Sequence, residues 1–217
     1  MLWLTEKIAF PPYENTSREG IIALGGDLSS ERLMFAYKKG IFPWFSKGDP
    51  IVWYCPKKRM VLFPNELKIS RSMAKIIQRN EYIITENTAF REVIFNCKNI
   101  RRKGEFGTWI TDEMEQAFIN LHQKGIAKSI EIWRISEDST YQKELVGGLY
   151  GLEMNQIFCG ESMFSKVPNA SKIAFIYLAK SNKYALIDCQ MYNNHLASLG
   201  AKEIDRSDFL NLLEKYQ

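Results

Sequence analysis

The chain has 217 residues, 46% hydrophobic and 25% charged, with a formal net charge of +4. This is the composition of an ordinary soluble globular protein, long enough for one large or two small domains with a proper core. No apolar run reaches the length of a membrane span, and MLWLTEKIAF lacks a basic segment followed by an apolar run, so neither a span nor a secretory signal is expected.

The rigid Pro11-Pro12 pair leads to a predicted strand at Ile21–Leu24, closed by the turn Gly25-Gly26-Asp27. That glycine pair is no phosphate loop, because neither GxGxxG nor GK[ST] follows. Ser29 or Ser30 can cap a helix with apolar positions Leu33, Ala36 and Tyr37, and Gly40 ends it. The segment 40–64 sets Phe42, Trp44, Phe45, Trp53 and Tyr54 among prolines. Most of these should seal a small core, with Trp44 the most exposed.

Pro64 marks the expected boundary between a small N-terminal domain, 1–63, and a larger domain, 64–217. Ser70 caps a helix that buries Met73, Ile76 and Ile77 and repeats Arg71, Lys75 and Arg79 along one face. Lys68 precedes that stripe. Arg101, Arg102 and Lys103 follow the next helix, about Thr88 to Cys97, which buries Phe90, Val93, Ile94 and Cys97. Such stripes are either solvated faces or contacts to a phosphate backbone. Thr111 or Asp112 starts a helix with Met114, Ala117, Phe118 and Leu121 inside, ended by Gly125. His122 reads as a helix-end residue with a local hydrogen bond.

A strand at Ser129–Ile135 precedes the central hairpin, LVGGLYGLEMNQIFCGESMFS, which turns at Asn155-Gln156. Its four glycines mark bulges or close approach by another chain or ligand. Strand alternation predicts Cys159, Glu161 and Met163 on one face, and Phe158, Ser162 and Phe164 on the other. A helix starting at Asn169 or Ser171 is apolar almost all round, hence buried. A strand at Tyr184–Gln190, a short helix closed by Gly200 and a terminal helix complete the chain. The order predicts a mixed sheet with helices packed on it.

Glu161, Asp188 and Gln190 are polar groups on apolar strands, where each must be paired or functional. Alternation puts Asp188 and Gln190 on one face and Ile187 and Cys189 on the other. The dispersed Cys55, Cys97, Cys159 and Cys189 form no CxxC pair and are expected as reduced thiols, while His122 and His195 are too few for an obvious metal site.

The motifs LVGGLYG…FCGESMFS, ASK, LIDCQ…NHLASLGA, GTWIT and GGDLS…GIFPWFS strongly resemble the bacterial leucyl/phenylalanyl-tRNA–protein transferases. The resemblance runs from about Phe10 to about Leu213 in the family's order. It implies an α+β chain: a small N-terminal domain and an acetyltransferase-like (GNAT-like) mixed-sheet domain. It also implies transfer of Leu or Phe, less often Met, from aminoacyl-tRNA to proteins or peptides bearing N-terminal Arg or Lys, marking them for the N-degron pathway. Matching site positions are Trp44, Ser46, Trp109, Phe158, Glu161, Asp188 and Gln190, with a tRNA-binding helix at Arg71, Lys75 and Arg79. Phe118 stands where some members carry tyrosine.

The residues agree with that chemistry. An aminoacyl ester is already activated, so no ATP site, cofactor or metal is expected. Trp109, Phe118, Leu149, Phe158 and Met163 would form an apolar pocket for Leu or Phe. Glu161 would offer charge to the cationic acceptor, Gln190 would accept a hydrogen bond from the attacking amine, and Asp188 would orient Gln190 or take the proton. Lys68, Arg71, Lys75, Arg79, Arg101, Arg102 and Lys103 would contact tRNA. A cytoplasmic monomer with no membrane partner is expected. The alternatives are an acyl-CoA-dependent N-acetyltransferase, disfavoured because SKVPNASK lacks the glycines of a pyrophosphate loop, and a non-catalytic tRNA-binding protein, which leaves the buried polar groups unexplained.

Overall fold

The computed structural model describes residues 2–100, 108–135 and 143–217. Two mixed sheets organise them. The first holds β1 (Leu2–Leu4), β2 (Ile21–Gly25), β3 (Phe42–Pro43) and β4 (Val52–Tyr54) in the order β1-β2-β4-β3. The second holds β5 (Lys58–Leu62), β6 (Ile83–Glu86), β7 (Ala127–Ile135), β8 (Lys143–Met154), β9 (Ile157–Ser165), β10 (Leu186–Gln190) and β11 (Lys202–Asp205). Its order is β11-β5-β10-β9-β8-β7-β6, and only β9 and β10 run parallel. This is the α+β arrangement expected, and the larger sheet is the expected mixed one.

Local chemistry starts the helices. The side chains of Ser29, Ser70 and Thr111 each accept a backbone N–H of the following turn, starting α1 (Ser30–Tyr37), α2 (Arg71–Gln78) and α4 (Asp112–Gln123). The next helix, α3 (Phe90–Asn99), begins two residues later than Thr88. The Thr88 side chain turns to the buried Glu131 carboxylate, to which its hydroxyl donates at 2.9 Å alongside Thr85 and Ser129, and Ala89 stands at the start of α3 with no side-chain cap. The helix α5 (Ala170–Lys180) buries eight of its residues, Ala170, Ser171, Ile173, Ala174, Phe175, Ile176, Leu178 and Ala179. It lies so close to β8 that a Cβ at Gly147 would overlap that of Ala170. Two helices follow, α6 (Asn194–Ala197) and α7 (Arg206–Tyr216). The hairpin of β8 and β9 turns at Asn155-Gln156, with Asn155 in the left-handed region at φ 52°.

The larger sheet separates two cores. One joins α1, α3, α4 and α7 to Val61, Tyr150, Cys159 and Leu186. The other joins Met73, α5 and Leu196 to Met60, Leu62, Leu149, Phe158 and Ile187. Residues of β5 alternate between them, Met60 and Leu62 to one side and Val61 to the other. The strand β5 was not anticipated from sequence. It sits between β10 and β11, so the chain enters the larger sheet at Lys58, before the boundary expected after residue 63.

Candidate active site

The parallel pair β9 and β10 stays hydrogen-bonded only as far as Cys159 opposite Asp188. Both strands continue, to Ser165 and Gln190, so they part beyond that point. Each carries one extra residue there. On β9, Ser162 faces Tyr150 and Gly160 faces Gly151, so Glu161 has no partner on β8. On β10, Asp188 faces Val61 and Gln190 faces Met60, so Cys189 is the extra residue. A one-residue bulge bends its strand and re-aims the side chains.

These bulges overturn the simple alternation. Cys159 and Phe164 enter one core, whereas Phe158 and Met163 enter the other, so Cys159 and Met163 do not share a face. The residue between them absorbs the change of phase. Gln190 follows the second bulge at φ 62°, a left-handed conformation that non-glycine residues adopt rarely and that concentrates at functional sites.

Asp188, Gln190 and Glu161 nonetheless converge. Asp188 is fully buried, and both its oxygens pair with the Arg59 guanidinium, at 2.7 Å from Nε and 2.6 Å from Nη2. Its Oδ1 also accepts the backbone N–H of Gln190 at 2.9 Å. Arg59 donates to the Gly40 carbonyl at 3.1 Å and lies between the rings of Phe42 and Phe209, 4.5 and 4.6 Å from their centroids. Such a pair is worth retaining only when the remaining hydrogen bonds are made, as they are here. Glu161 Oε1 accepts from the Tyr37 hydroxyl at 2.7 Å and from Gln190 Nε2 at 2.8 Å, and Oε2 is buried without a partner. Burial pushes the Glu161 carboxyl up to about 8; the Tyr37 hydrogen bond opposes this and the nearby Asp188 charge adds to it.

Around this cluster lies a cavity of about 750 Å³. Leu149, Phe158, Met163, Phe175, Leu178 and Ile187 form its apolar walls. Glu161, Gln190, Asn193 and His195 bring polar groups to it, and Trp44, Ser46, Trp109 and Tyr192 line it as well. Trp44 is 42% exposed and tilts against Tyr54, as its loop position suggested. Cys159 and Cys189 are both pushed up, by burial first and then by the Asp188 charge, which keeps them thiols rather than thiolate nucleophiles.

The expected pocket residue Phe118 is placed elsewhere. It is fully buried in the core with α4, edge-on to Tyr150 at 5.4 Å, and does not line the cavity. His122 is the helix-end residue expected, with Nδ1 2.8 Å from the Ala127 carbonyl oxygen. Lys68, Arg71, Lys75 and Arg79 are all exposed, and Arg71 and Lys75 make no ion pair among the described residues. Their helix buries Met73 in the same core as Leu196 and Phe158, on the cavity's apolar side. Arg101, Arg102 and Lys103 lie outside the described residues. Sequence reasoning missed Arg59, Tyr37, Phe175, Leu178 and Ile187. The i, i+3 spacing of Phe175 and Leu178 was a usable signal, and so was Ile187 beside Asp188.

A chamber of apolar walls that ends on buried, hydrogen-bonded polar groups can hold an apolar side chain with its reacting end beside Glu161 and Gln190. The family model for leucyl/phenylalanyl-tRNA protein transferase matches residues 61–214, and that for the N-terminal domain of the same transferase matches residues 26–57. The chain is 52% identical to the leucyl/phenylalanyl-tRNA–protein transferase of Flavobacterium johnsoniae over 217 residues, covering 99% of each chain. It is also 52% identical to that of Nitrosomonas eutropha over 211 residues, covering 95% of this chain and 87% of the other. A crystal structure of FemX shares the fold at a TM-score of 0.51, with 9% identity over 85% of this chain and 71% of that one. The chain belongs to the leucyl/phenylalanyl-tRNA–protein transferase family, and it is an enzyme that moves an aminoacyl group from tRNA to the N-terminus of a protein. Its mixed-sheet fold is the acetyltransferase-like one that the resemblance implied. Among the described residues no helix is long and apolar enough to cross a membrane.

Proposed function

We propose that this enzyme transfers Leu or Phe, less often Met, from aminoacyl-tRNA to proteins with N-terminal Arg or Lys, as a cytoplasmic monomer, and so marks them for degradation. The observation that carries this reading is the apolar chamber bounded by Phe158, Met163, Phe175 and Ile187, which ends on Glu161 and Gln190. Such a pocket distinguishes one methylene by only ~1–3 kcal/mol, which suits relaxed choice among Leu, Phe and Met.

The reaction forms a C–N bond between the acceptor α-amine and the ester carbonyl carbon and breaks the ester C–O bond. The ribose hydroxyl of the tRNA leaves and takes up a proton. The α-ammonium, with an ordinary pKa of about 7.7–8.0, must first lose one. Gln190 receives a hydrogen bond from the amine through its amide oxygen. Asp188, closed off by Arg59, holds the Gln190 backbone and takes the orienting role, not that of the base. Glu161 presents its carboxyl to the cationic acceptor. Holding amine and ester in contact can supply up to ~7–11 kcal/mol of the barrier reduction. The exposed Lys68, Arg71, Lys75 and Arg79, together with Arg101, Arg102 and Lys103, track the tRNA backbone.

Incubation with Leu-tRNA and an Arg-starting peptide, read by mass spectrometry, tests the reading. A leucylated peptide formed without ATP or coenzyme A is expected. Acetylation of that peptide from acetyl-CoA, with no tRNA-dependent product, would overturn it.

A further inference from the structure

We infer that Tyr37 is a positioning residue for the transfer step: its hydroxyl sets Glu161, and Glu161 in turn decides which end of the Gln190 amide faces the attacking amine. The inference rests on the transfer reading above, in which Gln190 receives the amine. Tyr37 is the last residue of α1 and is 1% exposed. It is not among the residues lining the cavity, so it acts without touching substrate.

The geometry is a short chain of bonds. Glu161 Oε1 has a donor on each side, the Tyr37 hydroxyl at 2.7 Å and Gln190 Nε2 at 2.8 Å. An amide presents a donor at one end and an acceptor at the other. With Nε2 committed to Glu161, the Gln190 amide oxygen is the end left for an incoming N–H. This holds whether or not Glu161 carries a proton. Its Oε1 already accepts twice, so a proton on this carboxyl sits on the partnerless Oε2. The Gln190 backbone is held separately, by Asp188 Oδ1 at 2.9 Å. Tyr37 therefore controls amide orientation and not the left-handed turn. Without the hydroxyl, Oε1 is no longer held as a double acceptor; the protonated carboxyl can rotate its Oε2–H toward Gln190, and the amide is then free to flip and accept from it.

Tyr37→Phe keeps the ring and removes only the hydroxyl. Misplacing a reacting partner costs up to ~10²-fold in rate. We expect a fall in kcat on the order of 10- to 100-fold, with KM for aminoacyl-tRNA and peptide and the unfolding midpoint close to those of the wild type. In Glu161→Gln the new carboxamide can donate as well as accept, so it no longer dictates the orientation of Gln190. The double variant should then lose no more kcat than Glu161→Gln alone, since both changes act through one contact. Wild-type kcat in Tyr37→Phe, or multiplied losses in the double variant, would overturn the inference. The Gln190 side-chain N–H₂ resonances, assigned by NMR, test it without turnover. They should mark a fixed amide in the wild type and shift or broaden in Tyr37→Phe, and unchanged resonances would also overturn it. If the wild type makes no peptide product, the transfer reading fails. If wild type and Tyr37→Phe transfer equally, only the role of Tyr37 fails.

Discussion

Replacing Arg59 by Leu tests the reading of Asp188 most directly. The two side chains are 2% and 0% exposed and meet at 2.6 Å. At an effective dielectric of ~20, unit charges at that spacing attract by about 6 kcal/mol, which desolvation largely offsets. Removing one partner leaves the other charge buried and alone, at a cost of about 3–5 kcal/mol. Domains of this kind are stable by only about 5–15 kcal/mol. Arg59→Leu should therefore lose about a fifth or more of the stability, read as a lower urea midpoint with an unchanged slope. The variant Arg59→Leu, Asp188→Leu removes both charges and should return to within about 1–2 kcal/mol of the wild type, or exceed it. Its turnover should stay low, because the Gln190 N–H has lost its acceptor. A single variant costing under about 1 kcal/mol would refute the burial argument. Normal turnover in the double variant would refute the orienting role of Asp188.

Three other outcomes are open to measurement. Native Glu161 binds a proton up to about 8 whereas an ordinary glutamate releases it near 4.5, so its contribution to stability is complete at low pH and is lost as pH rises through that window. Against Glu161→Gln, the wild type should lose up to roughly 5 kcal/mol between pH 4.5 and 9 by urea unfolding, and parallel pH curves would contradict this. Arg71→Ala with Arg79→Ala should weaken tRNA binding and flatten its log-salt slope by about 0.7–0.9 per lost phosphate contact, while a puromycin-like minimal donor is used nearly as before; an unchanged slope would make the stripe a solvated face. At Gly151 a Cβ would run into the Cys159 carbonyl and the Phe158 ring, so Gly151→Ala should cost about 1–3 kcal/mol in urea unfolding, and a neutral result would refute the close packing beside the β9 bulge.

Features set by near neighbours could be read from the chain alone. Caps at Ser29, Ser70 and Thr111 need only the next turn of backbone, and the Asn155-Gln156 hairpin needs only a residue that tolerates positive φ. Features set by distant partners could not. Arg59 sits in Lys57-Lys58-Arg59 and looks like one more surface charge; only β10 beside it turns that arginine inward. The bulges at Glu161 and Cys189 exist as mismatches between strands, so counting residues along one strand gives the wrong phase beyond each. Asp188 and Gln190 stand out in the sequence as polar groups on an apolar strand, but simple alternation does not give the geometry that joins them. Phe118 was misassigned because its helix periodicity says only that it is buried, not in which of the two cores or beside which cavity.

The position of β5 has a consequence for how the enzyme comes into being. Arg59 and Asp188 lie 129 positions apart, and β5 is flanked by β10 on one side and β11 on the other. At ~5–20 residues per second on the ribosome, Arg59 waits roughly 6–26 s before its counter-ion is even made. Until then the nascent chain carries a strand without its neighbours and a cation destined for a dry interior. No stalled or prematurely released product that stops short of β10 holds a finished site. The ability to transfer an aminoacyl group thus arrives late in synthesis, after β10 has joined β5.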